Sequence, residues 1–362
     1  MKRIIVSVTN DITTDQRVEK VCNTLYANNF DILLIGRMLK SSLSIEREYK
    51  TKRISLLFND GFLFYAEYNI RLFFILLFSK KDILLSNDLD TLLSNYIISK
   101  LQRKKLVFDS HELFSEIPEL ETRPFVKKVW QGLENKILPK LKNTYTVCNS
   151  IANHFNNKYK TDFKVIRNIP IYKNHSKTAS FPFSTNEKKI ILYQGSVNIG
   201  RGLELMIDTM RFLQDHLLVI IGSGDIYTDL KVSVKKEKLE NKIYFLGRKT
   251  PKELQKLTPL ADIGISVEED LGLNYRYALP NKIFDYIQAE VPILVSNLPE
   301  MKQIVINYSV GEIIKERNPK TLANQINKMM DNDFSSSLKK AKKELIWENE
   351  TKILLDIFNN LK

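Results

Sequence analysis

Cysteine is nearly absent from this 362-residue chain, which holds only Cys22 and Cys148. Two thiols cannot build a disulfide framework or a multi-cysteine zinc site, so reduced thiols in the cytosol are the expectation. Glycine and proline are sparse, at 12 and 11 residues, which excludes collagen-like and mucin-like chains. With 43% hydrophobic and 27% charged residues, wholesale disorder is excluded too. No run of about 18 uncharged apolar residues occurs. The nearest approach, Leu72 to Phe78, is bounded by Arg71 and by Lys80 and Lys81, which argues against a spanning helix. The apolar start Ile4 to Val8 stops at Thr9-Asn10-Asp11, too short for a signal-peptide core, and reads as a first strand. His111, His154, His175 and His216 are scattered without ligand spacing. Neither G-x-S-x-G nor a P-loop is present, which weakens hydrolase and NTPase readings.

Acidic residues are outnumbered. There are 42 Asp and Glu against 55 Lys and Arg, a net charge of +13. Residues 1–170 hold 27 of the bases and 18 of the acids, so most of the excess lies in the first half. That balance suits an anionic partner, whether membrane surface, phosphate-bearing substrate or nucleic acid, and equally suits a chain that is lysine-rich throughout.

At about 150 residues per domain, the length predicts two domains or three. Short apolar runs alternate with stretches of helical period. The spacing predicts strands over 3–8, 31–36, 53–57, 82–86, 105–109, 143–148 and 163–167. After a polar break near 172–187 come strands over 190–194, 217–221, 243–246, 262–267 and 292–296. Helices are expected between them, including 200–214, 226–239, 251–258, 280–289, 299–306 and 319–331. The fold class is therefore α/β, with two tandem doubly wound Rossmann-like domains over 1–175 and 185–339. In such sheets ligands bind beyond the carboxyl ends of the strands, so two facing domains would form a cleft.

The strongest local signal is Gln194-Gly195-Ser196-Val197-Asn198-Ile199-Gly200-Arg201-Gly202, which follows a strand and opens a helix. Glycines allow close backbone approach, a helix N-terminus offers N–H groups to an anion, and Arg201 adds a fork suited to phosphate. A glycine turn bearing one surface arginine fits the same letters. Gly222-Ser223-Gly224 and Gly247-Arg248 end two further strands, and Arg248 is placed to lean over a base or phosphate. In Pro280-Asn281-Lys282-Ile283-Phe284-Asp285, Asp285 can accept two hydrogen bonds from a ribose diol while Lys282 reaches a phosphate. A solvated i,i+3 pair on a helix face is the plainer reading.

In the first half, Asp109-Ser110-His111 ends a strand, where a histidine serves as proton shuttle, sugar ligand or turn residue. Asp88-Leu89-Asp90 spells D-x-D but starts a helix and is read as its cap rather than as a metal site. The first βα turn lacks the glycines of a dinucleotide fingerprint. Arg123 to Lys142 is a basic amphipathic helix carrying Trp130, suited either to an anionic membrane surface or to packing on the sheet. Tyr65 to Phe78 is expected to be a buried crossover helix.

With these residues laid out, the chain resembles the GT-B glycosyltransferases, in particular the retaining family 4. Thr14-Asp15-Gln16-Arg17-Val18 is similar to the opening helix of a bacterial surface-polysaccharide subset. Gly195-Ser196 with Arg201-Gly202, Gly222-Ser223-Gly224, Phe245-Leu246-Gly247 and Leu279-Pro280-Asn281-Lys282 fall in the family's order. Trp347-Glu348 is similar to the segment that crosses back onto the first domain, which would place 340–362 there. The departures are definite. The family's paired glutamates, eight residues apart, are Tyr277 and Asp285 here, leaving Glu268 or Glu269 to take the first role.

The resemblance implies sugar transfer from a nucleotide-sugar donor to a glycan or lipid-linked acceptor, without metal or other cofactor. By the same likeness, catalysis would fall to Arg201, Lys282 and His111. Donor binding would fall to Gly195, Ser196, Gly202, Gly222, Gly224, Arg248, Glu268, Asn281 and Asp285. It also implies a cytoplasmic place, peripheral on the inner face of the membrane through 123–142. A sugar-nucleotide epimerase of the same architecture is the alternative. Nucleic acid is not expected as a partner, because no recognition module is evident.

Overall fold

The structure is a computed structural model that describes residues 1–120, 122–173 and 179–361. The chain divides into two compact units, Met1–Asn168 with Glu350–Lys362, and Ile169–Asn349. The switch falls at Ile169, ahead of the expected 175–185 boundary, because Ile169 is fully buried in the core of the second unit. Residues 174–178 of the expected linker, His175 among them, lie outside the described residues.

The first unit contains β1 (Lys2–Asp11), α1 (Gln16–Ala27), β2 (Phe30–Met38), β3 (Lys50–Ser55), α2 (Gly61–Phe78), β4 (Ile83–Asn87) and α3 (Leu89–Leu101). It continues with β5 (Lys105–Ser110), α4 (Pro124–Ile137), β6 (Asn143–Thr146), α5 (Asn149–Tyr159) and β7 (Lys164–Val165). All seven strands are parallel, in the order β3-β2-β1-β4-β5-β6-β7. The central strands are apolar runs because helices cover both faces of a parallel sheet; every residue of β4 is buried. Asp15 caps α1 by accepting the Val18 N–H at 3.1 Å. Asp88, expected to cap α3, makes no side-chain cap bond.

The second unit contains β8 (Lys189–Gln194), α6 (Leu203–Thr209), β9 (His216–Ile221), α7 (Tyr227–Lys236), β10 (Ile243–Gly247), α8 (Pro251–Leu257) and β11 (Ile263–Ser266). Then follow α9 (Leu273–Arg276), α10 (Asn281–Gln288), β12 (Ile293–Val295), α11 (Pro299–Tyr308), β13 (Gly311–Ile313), α12 (Pro319–Met330) and α13 (Ser335–Glu344). Its six parallel strands run β10-β9-β8-β11-β12-β13. This is a doubly wound order, with its switch point between β8 and β11. Core clusters lie on both faces of the sheet, around Leu192, Val219 and Ile293 on one and Ile191, Ile220 and Ile265 on the other.

The last helix, α14 (Trp347–Asn359), starts in the second unit, where the Trp347 N–H donates to the Pro170 carbonyl at 2.8 Å. From Glu350 it belongs to the first unit. There the Glu350 carboxylate takes the Arg167 guanidinium at 2.6 Å, and Phe358 packs edge-on to Phe30. The return begins at Glu350 rather than at 340, because α13 packs Leu338 and Ala341 into the second unit's core.

One helix differs from expectation, and a second shows the packing that was one of its two readings. In α2, Phe64, Tyr68, Leu72 and Leu76 are buried, but Ile70, Phe74 and Phe78 are 59%, 52% and 82% exposed, so it is not a buried crossover helix. Among the described residues it is the one helix long and apolar enough to cross a membrane. In α4, the tryptophan expected at a membrane interface is engaged within the unit. The Trp130 ring packs edge-on against Tyr65 and Phe114, and Lys127 pairs with Glu116 at 3.0 Å.

Candidate active site

The turn after β8 and the turn after β11 meet at the switch point of the second sheet. Gly195 opens the first turn, and its N–H donates to the Ile221 carbonyl at 2.9 Å. A Cβ on Gly222 would stand 1.8 Å from the Gly195 carbonyl oxygen, so the turns after β8 and β9 touch only because no side chain separates them. Gly224 likewise leaves room for the Asn198 side chain and the Val197 carbonyl. Gly202, at φ +73°, lies against the Val267 carbonyl, where a Cβ would come within 2.1 Å. Its helix α6 has seven residues, half the expected span. Ser196 is exposed, and its carbonyl accepts the Tyr193 hydroxyl.

Three charges converge here. Glu268, fully buried, receives Lys282 Nζ on Oε1 at 2.8 Å and the Ser266 hydroxyl on Oε2 at 2.8 Å. Arg201 Nη1 lies 3.9 Å from the same Oε1. Burial works against the charge of Glu268, but Lys282, Ser266 and Arg201 outweigh it and hold the carboxyl below the usual glutamate range. Lys282 also lies 4.0 Å above the Tyr193 ring, and Arg201 lies 5.0 Å above Tyr275. Arg201 Nε is buried with no hydrogen-bond partner among the described residues, a donor left over in a site with one surplus positive charge.

Of the two glutamates left open by sequence, Glu268 joins the cluster. Glu269 turns to Arg317, 3.4 Å away. Arg317 was missed from sequence. Its Nη1 donates to the carbonyls of Val267 and Glu268 at 3.1 and 3.2 Å, and with the Ser296 hydroxyl it fixes the turn carrying Glu268. No local motif marks it, since it acts on residues remote in sequence. Lys282, read from sequence as able to reach a phosphate, is 9% exposed and bound to Glu268. Asp285, on α10, is half-buried and accepts a hydrogen bond from Gln194 Nε2 at 3.2 Å. Arg248 and Asn281 are exposed, and neither side chain makes a hydrogen bond or ion pair among the described residues.

His111 follows β5. It belongs to the first unit, where its N–H donates to Asp88 Oδ1 at 2.8 Å, its Nδ1 faces Asp88 Oδ2 at 3.2 Å and its Nε2 faces Asp109 Oδ2 at 3.1 Å. Burial disfavours the imidazolium, but the two carboxylates win and raise its pKa to about 9. Asp109 in turn takes Arg17 in a bidentate pair at 2.8 and 2.9 Å, buried at both ends. Burial pushes Asp88 to about 6 and, with Asp88 nearby, Asp90 to about 8. Asp109 and Asp88 thus hold both ring nitrogens of the histidine.

Comparison with known proteins decides what the second unit is. Residues 176–345 match the family described as Glycosyl transferases group 1. The second unit is a group 1 glycosyltransferase domain. An uncharacterised glycosyltransferase of Methanocaldococcus jannaschii is 26% identical over 184 residues, 48% of this chain and 45% of that protein. The chain thus aligns with less than half of that relative's length. Among solved structures, sucrose-phosphate synthase from Thermosynechococcus elongatus superposes with a TM-score of 0.83 at 13% identity, covering 100% of this chain and 99% of the other. Anabaena HepE in complex with UDP-glucose gives 0.75 at 13% identity, covering 99% and 100%. At such identities the likeness establishes the fold, which is the GT-B fold. In this glycosyltransferase domain, the Arg201, Glu268 and Lys282 cluster stands at the switch point, where doubly wound sheets take ligands.

Proposed function

We propose that the protein transfers a sugar from a nucleoside-diphosphate donor to a hydroxyl of a glycan or lipid-linked acceptor, with retention of configuration, in surface-polysaccharide synthesis at the cytoplasmic side of the membrane. The observation that carries the donor reading is the surplus cation at the switch point: two bases on one buried carboxylate, with Arg201 Nε unpartnered. As the glycosidic bond breaks, the diphosphate gains negative charge. In this reading Arg201 and Lys282 stabilise it, taking the part that a metal ion would otherwise play. Asp285, through its carboxylate, and the exposed Asn281 and Arg248 suit the nucleoside. The bound UDP-glucose of Anabaena HepE supports a nucleotide-sugar donor for this fold.

The role of His111 is positional in this reading. With both nitrogens engaged, it orders the turn after β5 and serves the acceptor side through that order.

A thermal-shift panel of nucleoside diphosphates and their sugars tests the donor site. One nucleotide should raise the melting temperature of the wild type and leave Arg201→Ala unmoved. No shift with any nucleotide would refute the reading. Donor consumption that needs no acceptor hydroxyl would point to an epimerase instead.

A further inference from the structure

Helices α2 and α3 lie side by side and parallel on one face of the first sheet. The Asn69 side-chain amide donates to the Asp90 carbonyl at 2.7 Å, and the Gln102 amide donates to the Leu77 carbonyl at 2.9 Å. Their inward sides are filled, and the Tyr68 hydroxyl bonds the Val8 carbonyl of β1 at 2.5 Å, so α2 is tied to the sheet along its length. Their outward sides carry matching apolar stripes: Ile70, Phe74 and Phe78 on one, Leu93, Ile97 and Leu101 on the other, each between 41% and 82% exposed. Positions i, i+4 and i+8 share a helix face, so each of these two adjacent helices carries an exposed apolar stripe. An apolar surface of that kind marks an interaction site.

Basic groups border it. Where both helices end stand Lys80, Lys100 and Arg103, exposed and without an ion pair among the described residues. Along the other flank, a groove of about 430 Å³ runs between β3 and α2, with Ile70 and Phe74 on its apolar wall and Lys52, Arg53 and Arg71 on its polar wall. Arg71 also pairs with Glu67 at 2.6 Å, while Lys52 makes no ion pair among the described residues.

We infer that this face docks onto an anionic phospholipid bilayer, with the apolar stripes seated among the acyl chains and the basic groove taking a headgroup phosphate. A second copy of the chain meeting this face symmetrically would bring like charges together, which disfavours self-association. A negatively charged lipid surface complements both features at once. Because Phe64, Tyr68, Leu72 and Leu76 anchor α2 to the sheet, the helix lies on the bilayer and does not cross it. The inference relocates the membrane contact from 123–142 to α2 and α3, and it does not depend on the donor chemistry.

The test is co-sedimentation of the 362-residue chain with vesicles of phosphatidylglycerol and phosphatidylcholine, or of phosphatidylcholine alone, at about 0.15 M salt. The wild type should bind the anionic vesicles at least tenfold more tightly. The surface variant Ile70→Ser/Phe74→Ser/Ile97→Ser and the charge variant Lys52→Glu/Lys80→Glu/Arg103→Glu should each lose at least tenfold at unchanged melting temperature. The control Lys128→Glu/Lys136→Glu/Lys140→Glu should bind as the wild type does. Wild type left in the supernatant, or both test variants bound normally, would overturn the inference. Loss in the control alone would also overturn it by moving the contact to α4. A concentration-dependent dimer abolished by the apolar variant, with no vesicle binding, would assign the face to a second copy. A nucleotide thermal shift run in parallel keeps the donor reading separate, since either result can fail without the other.

Discussion

Replacing Lys282 with methionine isolates the central ion pair. The substitution keeps most of the side-chain length and removes the ammonium 2.8 Å from a carboxylate that is fully buried. Glu268 would keep the Ser266 hydroxyl at 2.8 Å and the Arg201 guanidinium at 3.9 Å, the latter only partly buried. Stranding one member of a buried pair costs about 3–5 kcal/mol, and the remaining partners put this case near the lower end, about 3 kcal/mol. For a unit of this size that lowers the melting temperature by roughly 6–12 °C at pH 7.5. The pH dependence has a definite sign. Glu268 in the wild type has a depressed pKa, so its contribution is present above the unfolded glutamate value of about 4.3 and is lost as pH falls through the folded value. In Lys282→Met, burial then prevails and the carboxyl takes up a proton at higher pH. The gap between the two proteins therefore narrows on acidification. Adding Glu268→Gln should recover most of the loss, because a neutral amide needs no cation. Thermal melts at pH 7.5 and pH 5 read all three proteins. The reasoning fails if Lys282→Met melts within 2 °C of wild type at pH 7.5, as expected of an exposed pair, or if the double variant is as unstable as the single.

Arg201 is only partly buried, so Arg201→Ala should fold normally yet lose the nucleotide-induced shift, and Arg201→Lys should restore little of it because the fork is gone; equal nucleotide binding by titration calorimetry would refute this. In the first unit, the pKa of His111 is raised to about 9 from an ordinary value near 6.5, so its contribution to stability is full below about 6.5 and fades as pH rises through about 9. The melting-temperature difference between wild type and His111→Gln should accordingly be largest near pH 6.5 and close by pH 10; a difference constant with pH would show that the charge contributes nothing. Gly222→Ala would set a methyl 1.8 Å from the Gly195 carbonyl, against backbone that cannot rotate away, and should cost about 2 kcal/mol or more in denaturant unfolding. A neutral result would mean that the two turns part easily.

The strands were legible because a parallel sheet covered on both faces demands apolar runs such as those of β1, β4, β8 and β9, and twelve of the thirteen strands overlap a span read from sequence. The exception is β13, whose three residues Gly311-Glu312-Ile313 have no run to detect. The exposure of α2 was illegible for a related reason. An apolar helix reads the same whether its second side is covered by protein or left open, and only its neighbours decide. At the site, the glycine turn with Arg201 and the segment holding Lys282 are local patterns and could be read. The bond between Lys282 and Glu268, and the hold of Arg317 on residues 267–269, depend on how separate loops meet, which spacing does not encode.

The two units share a strand order around the switch point, yet their electrostatics differ, and the donor proposal rests on that difference. In the first, Arg17 is 3% exposed, paired to Asp109 and bonded to the Ile166 carbonyl, and His111 stands between Asp88 and Asp109. Each cation there already has its carboxylate, so a diphosphate entering would have to displace one, and the desolvated carboxylate left behind would oppose it. In the second, two cations share one carboxylate, Arg201 is a quarter exposed, and its Nε has no partner among the described residues. A diphosphate arriving there gains charge complementarity and hydrogen bonds without orphaning any group. The same fold therefore offers one switch point that is electrically closed and one that is open to anions, and function follows the side chains rather than the strand order.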